Sequence, residues 1–299
     1  MNILQSIFTD YYELHPRPAV IENVNKMIHC GDSSHGGAMY DCPHCGNLKF
    51  VPFRCKSRFC PSCGNKYNQL RSFHMSCKLV SCVHRHCVFT IPAELRVYFL
   101  EDRTLLDCLF HSVRDVVLRM FSKMNKTENF TPGLICVLHT FGRDLKWNPH
   151  IHALISEGGA GNITPWCPVK HFDYNFLRNA FRKVLLEQLT SRIGPSFRKV
   201  KNEMYTRHED NKTVTETIPA LDFIQKLIVH IPEKHFKMLR YYGVYAKHHK
   251  QEKKLLVLEV YHKKRHKQRH GESNILSFVM SFFISSLLYT ISDDFRNFL

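Results

Sequence analysis

Two Cys-x-x-Cys turns, Cys42-Pro43-His44-Cys45 and Cys60-Pro61-Ser62-Cys63, lie 14 residues apart. That is close to the spacing of a four-thiolate zinc ribbon, and it constrains the first third of the chain more than any other feature. Each turn presents two thiolates from one tight bend, and tetrahedral zinc accepts two such bends without strain. The spacing therefore assigns Cys42, Cys45, Cys60 and Cys63 to one structural zinc. Residues 30–66 lose hydrophobic periodicity and fill with Cys, Gly and Pro, as expected where a metal organises the fold. Cys30, His35 and Cys55 are left over nearby; they either complete a second site with a further ligand or pack as small polar-tolerant hydrophobes. The scattered cysteines, Cys77, Cys82, Cys87, Cys108, Cys136 and Cys167, read as buried packing. The first residues lack a charged segment leading into an apolar stretch and a cleavage site, which predicts a reducing, cytoplasmic setting in which close thiols hold metals.

Charge narrows the partner. Lys and Arg number 42 against 26 Asp and Glu, a formal net charge of +16, and such a surplus suits a protein that neutralises phosphates. With 44% hydrophobic residues the chain has enough apolar mass for a core and is not a disordered polymer. Arg54, Lys56, Arg58 and Lys66 surround the cysteine turns. Positive charge on a rigid module favours DNA contact over catalysis, so these four are the candidate DNA-binding residues.

Periodicity predicts an α+β chain. Residues 3–29 read as helical around a break at His15-Pro16-Arg17-Pro18, and 67–82 as helical again. A strand over His84–Ile91 ends at Pro92, and a helix spans 101–125. Strands at 133–140 and from Asn148 form a hairpin across a polar connection, with helix 173–190 covering one face. Further helices are predicted at 220–229 and 234–245, followed by a basic segment at 247–270. The apolar stretch 275–291 falls short of the ~20 residues that span a bilayer, so a membrane anchor is not expected. The organisation expected is a helical and zinc-ribbon module over 1–82, an antiparallel-sheet domain with helices on its faces over 83–272, and a divergent hydrophobic tail over 273–299.

In the predicted strand Asn148-Pro149-His150-Ile151-His152-Ala153-Leu154-Ile155, period-2 alternation sends His150 and His152 to one face and Ile151 to the other. Two adjacent imidazoles can hold a divalent metal that polarises a phosphate oxygen. The plainer reading, in a chain with 20 histidines, is a pair of solvated or hydrogen-bonded side chains. A hard cation needs a third ligand. His139, on the predicted partner strand, is a weak candidate that reads better as an ordinary hydrogen-bonded histidine and is not assigned.

Several motifs together resemble one family: the cysteine turns with Cys55-Lys56-Ser57-Arg58-Phe59-Cys60-Pro61, the strand Val88-Phe89-Thr90-Ile91-Pro92, Val137-Leu138-His139-Thr140-Phe141-Gly142, Asn148-Pro149-His150-Ile151-His152, Arg207-His208-Glu209-Asp210, and Ile231-Pro232-Glu233-Lys234-His235-Phe236-Lys237-Met238. From about residue 5 to 278 they are similar to the HUH-type, two-tyrosine, rolling-circle insertion-sequence transposases. The resemblance implies a zinc module that binds the ends of a mobile element and an HUH endonuclease-like sheet domain. In that domain His150 and His152 hold Mg or Mn near the scissile phosphate. It further implies a tyrosine nucleophile that takes a single-stranded or hairpin DNA end as a phosphotyrosine.

The chain departs from the family where that nucleophile belongs. The expected Tyr-x-x-Arg-Tyr segment between helix 173–190 and Arg207 is missing, which reads as an internal deletion near 194–207. Tyr241 and Tyr245, four residues apart on a predicted helix, are the candidate substitutes; packing or DNA contact is the competing role for both, and Tyr205 at the junction is a weaker substitute. The tail also diverges after Phe278. Both departures point to a degenerate copy. The alternative is a non-catalytic zinc-ribbon DNA-binding protein.

Overall fold

A computed structural model describes residues 17–76, 79–80, 82–124, 128–142, 145–169, 171–206 and 229–246. The predicted helical lead-in before residue 17, the predicted helix at 220–229, the basic segment and the apolar tail lie outside the described residues. The described residues divide into two compact units, one formed by 17–76 with 229–236 and the other by 79–206 with 237–246.

In the first unit, α1 (Pro18–Ile28) starts on a proline whose fixed φ suits a first helical position, and an exposed Lys26–Glu22 pair one turn apart spans 2.6 Å. Its buried face, Val20, Val24 and Met27, packs with Cys60 and Ile231. Arg17 ties the second stretch of this unit in place by donating to the Ile231 carbonyl at 2.8 Å and pairing with the Glu233 carboxylate. Strands β1 (Gly37–Asp41) and β2 (Leu48–Pro52) form an antiparallel hairpin, and α2 (Pro61–Ser76) begins inside the second cysteine turn, earlier than periodicity suggested.

The second unit is built on a five-stranded sheet of β3 (His84–Phe89), β4 (Thr131–Phe141), β5 (Trp147–Ala160), β6 (Cys167–Pro168) and β7 (Leu239–Gly243). Its order is β3-β5-β4-β7 with β6 on β5, and every pairing is antiparallel. The helix predicted at 101–125 is α4 (Leu106–Met124), and a separate helix not expected from the sequence, α3 (Ala93–Glu101), precedes it. They part at Asp102, whose carboxylate accepts from Thr104 N at 2.9 Å and caps a short turn. Helix α5 (Tyr174–Ile193) opens on an Asp173 cap to Phe176 N at 2.8 Å, and α6 (Arg198–Thr206) follows.

One face of the sheet is covered by helices: Phe181 of α5 meets Phe89 edge-on at 5.1 Å, and Arg240 lies 4.1 Å over the Phe110 ring of α4 while pairing with Asp107. Register places Cys87, Ala153, Cys136 and Arg240 in one row on that face. The architecture is α+β, as the sequence predicts. The predicted helix at 234–245 is overturned: residues 239–243 form β7, paired with β4 over Gly133–Val137. The aromatic run satisfies its backbone on the open β4 edge, and Leu138 N extends the pairing to the Met238 carbonyl at 2.9 Å. Among the described residues no helix is long and apolar enough to cross a membrane.

Candidate metal centres

The opposite sheet face carries the histidines. His139 pairs directly with His150, while His152 pairs with Val137 on β4 and Val88 on β3. Antiparallel partners share a face, so His139, His150 and His152 rise together, and one ligand atom from each lies within 4.8 Å of the others. The ring of His139 sits 4.3 Å from that of His152 and 5.5 Å, edge-on, from that of His150. His86 adds a fourth imidazole, with Nε2 2.8 Å from His152 Nδ1 and the rings stacked at 5.1 Å.

Hydrogen bonds fix which nitrogens face inward. His150 Nδ1–H donates to the Asn148 carbonyl at 2.7 Å, and His152 Nδ1 is engaged by His86, which leaves both Nε2 atoms facing each other at 3.0 Å. That contact is an N–H···N hydrogen bond when His152 carries its proton on Nε2, and a bound cation would take the place of that proton. The spacing is what two ligands ~2.1 Å from one octahedral ion adopt. Burial holds these rings neutral, lowering His150 and, with the neighbouring histidines, bringing His139 down to about 3 and His152 to about 2. Neutral imidazole is the metal-binding form, so the donor set fits a divalent cation.

Two further groups belong here. Asn148, two residues before His150, keeps a buried Oδ1 with no hydrogen-bond partner, and Arg96 of α3 acts on His150 electrostatically, placing a guanidinium close by. The sequence offered a sign of His86 through alternation in His84-Arg85-His86, but none of Arg96, whose place depends on how α3 packs.

The thiolate site differs from the predicted ribbon. Cys60 and Cys63 are joined by Cys30 and Cys55, with one sulfur from each within 4.8 Å of the others. Cys42 and Cys45 instead sit together at the β1–β2 turn, where Cys42 N bonds the Asn47 carbonyl at 3.0 Å and Cys45 donates to the Cys42 sulfur. Cys30 sits just past the end of α1, which delivers it to the second cysteine turn, an approach that spacing along the chain could not reveal. Cys30 and Cys63 sulfurs lie 3.6 Å apart, near the ~3.8 Å edge of a zinc–sulfur tetrahedron with ~2.3 Å bonds. Burial opposes ionisation of Cys30, yet hydrogen bonds from Cys55 and the neighbouring thiols bring it down to about 7, while burial pushes Cys55 up. Thiols that ionise against one another are reconciled by a cation in their midst. Arg54, Lys56, Arg58 and Lys66 are all exposed around this site, and Arg58 stacks 5.4 Å over Tyr67.

The tyrosines are not two residues of one helix face. Tyr241 lies in β7 opposite Ile135, on the histidine face of the sheet. Tyr245 follows a turn made possible by Gly243 at φ +58, and its ring lies where a Gly133 side chain would begin. Only 6% exposed, Tyr245 donates its hydroxyl to His84 Nε2 at 2.6 Å and accepts from Val80 N at 3.2 Å. Burial raises its pKa, so it is not an accessible nucleophile. Tyr245→Phe leaves His84 and Val80 N–H without their partner and is expected to destabilise this unit by about 1–3 kcal/mol in urea unfolding, without altering DNA binding. An unchanged midpoint would show that the hydroxyl contributes nothing.

Residues 3–91 match the family model for the transposase zinc-binding domain, and residues 133–207 and 196–253 match the one described as "Putative transposase". The transposase for insertion sequence element IS801 of Pseudomonas savastanoi pv. phaseolicola is 27% identical over 296 positions that take in 77% of this chain and 71% of that protein. "Putative transposase y4qJ" of Sinorhizobium fredii is 26% identical over 164 positions, 54% of this chain and 41% of the relative. No solved structure matches.

Proposed function

Since the chain belongs to the insertion-sequence transposases whose zinc-binding and transposase models it matches in series, we propose that it is a DNA-binding member of the rolling-circle HUH class that keeps its cation site and has lost covalent strand transfer. The observation that carries this reading is the convergence of His139, His150 and His152 on one sheet face, with Tyr245 buried against His84 and Tyr241 two strands away from His152. A bound cation there polarises a phosphate oxygen. His139, His150 and His152 would hold it, His86 would orient the His152 ring, and Arg96 would offer positive charge to the same phosphate. Three imidazoles suit Mn better than Mg, which prefers oxygen ligands.

Tyr241 stands two strands and two residues from His152, about 12 Å between Cα atoms by ordinary strand spacing. A side chain standing perpendicular to the sheet does not close that gap. The relative's alignment supports a missing segment, because 296 aligned positions draw on only 77% of a 299-residue chain, or ~230 residues. The transposase model likewise matches in two stretches that overlap at 196–207, where the tyrosine segment is expected. The zinc unit, with exposed Arg54, Lys56, Arg58 and Lys66, binds single-stranded or hairpin DNA ends, and the protein works in the cytoplasm, where thiols stay reduced.

The test incubates the full chain with labelled single-stranded DNA from the element's ends and Mn, then compares a native gel with a denaturing one. We expect a shifted band on the first and no covalent adduct on the second. An adduct that vanishes in both His150→Ala and Tyr241→Phe overturns the loss of strand transfer and makes Tyr241 the nucleophile.

A further inference from the structure

Three side chains in the loop after α1 remain outside both centres. His29 ends that helix, Asp32 caps the short turn Ser33–His35, and His35 closes it, so the three recur every third residue around two consecutive turns. One donor atom from each lies within 4.8 Å of the others, and all three residues are exposed. The two imidazoles stack at 4.1 Å. Asp32 Oδ1 is committed to Ser34, accepting from its N–H at 2.9 Å and its hydroxyl at 2.8 Å, while Oδ2 lies 3.7 Å from His35 Nδ1, which also makes a 3.1 Å hydrogen bond with Ser34 Oγ that a metal would displace or leave to Nδ1 by binding Nε2.

The separation of Asp32 Oδ2 from His35 Nδ1 is too long for a hydrogen bond and within the ~4.2 Å that one ion with ~2.1 Å bonds can bridge. The loop is also held at both ends. Gly31 N bonds the Phe53 carbonyl at 3.1 Å, and Phe53 N bonds the Gly36 carbonyl at 3.0 Å, so the turn carrying these donors is clamped to the end of β2.

We infer that His29, Asp32 and His35 form a separate divalent-metal site for a borderline cation such as zinc, independent of the Cys30–Cys55–Cys60–Cys63 cluster and of the sheet histidines. Two nitrogens and one carboxylate suit Zn, Co, Ni or Cu, and three protein ligands leave coordination positions open to water or a phosphate oxygen. The thiolates beside it form a closed, softer site with no such vacancy.

The experiment loads the full chain with Zn, removes excess, and counts metal per chain by plasma mass spectrometry. The inference expects His29→Ala with His35→Ala to lose one equivalent. Asp32→Asn, which still accepts from Ser34, should weaken that equivalent at least ten-fold. In Co-loaded samples the thiolate charge-transfer absorbance should be unchanged in both variants, reporting that the first unit is folded. If the double variant does not fold, the unmodified chain decides: added Zn should protect His29 and His35 from carbethoxylation, read by peptide mass. Equal metal counts in the variants, or no protection, overturn the site whatever the outcome of DNA cleavage.

Discussion

Replacing Cys30 with alanine is expected to unfold the first unit as completely as replacing Cys60, whereas replacing Cys42 leaves it folded. The apolar cluster around Val20, Val24, Met27, Cys60 and Ile231 is small. Structural zinc in small domains supplies about 10–16 kcal/mol of apparent binding energy, comparable to or larger than the whole stability of an ordinary domain. Losing one of the four gathered thiolates therefore removes most of what orders residues 17–76. Hydrogen exchange read by peptide mass, with zinc content measured alongside, localises the effect to this unit. If Cys42→Ala proves as damaging as Cys60→Ala and Cys30→Ala does not, the two-turn ribbon is restored and the observed grouping is wrong.

Acid is expected to unfold the sheet unit well above the pH at which carboxylates titrate. His84 is held down to about 4 by burial, opposed by its hydrogen bond to the Cys82 carbonyl, and His139 to about 3 by burial and the histidines beside it. In the unfolded chain both titrate near 6.5. Above pH 6.5 neither state binds the proton and stability is at its full value. Below it the unfolded state takes up protons that the folded state refuses, so stability falls as pH falls, until the folded pKa is reached. At ~1.4 kcal/mol per unit for each group, these two together cost about 5 kcal/mol between pH 6.5 and 4.5. A cation on His139 deepens the loss, because protons must displace it. Both tryptophans, Trp147 and Trp166, belong to this unit, so fluorescence-detected urea unfolding at a series of pH values reports it alone. A midpoint independent of pH across that range would falsify the buried neutral state of these histidines, and His84→Gln should flatten the slope by about half.

The sheet domain was legible wherever its information is local. Alternation in Asn148–Ile155 gave the face shared by His150 and His152, and the polar connection after Phe141 gave the hairpin that β4 and β5 form. Helix α5 followed from its apolar spacing. What the sequence hid depends on distant segments. Residues 239–245 fit a helical period as well as a strand, and only the open β4 edge decides between them. Cys30 and Cys55 looked like leftovers because two Cys-x-x-Cys turns make a complete ligand set on paper, while α1 brings Cys30 to Cys63 in space. His139 looked ordinary until its register opposite His150 was known.

That register also bears on how the protein could lose one property and keep another. His139, His150 and His152 all lie within a single hairpin whose strands, Thr131–Phe141 and Trp147–Ala160, are joined by a short connection. Little loop-closure entropy is spent in bringing the three imidazoles together, and contacts of such short sequence separation form early in folding. Excision of chain after α5 removes nothing that this hairpin needs in order to close. If the proposed loss at 194–207 holds, the grip on a cation would be separable from the chemistry performed beside it, and such a copy would still compete for the same ion and the same strand.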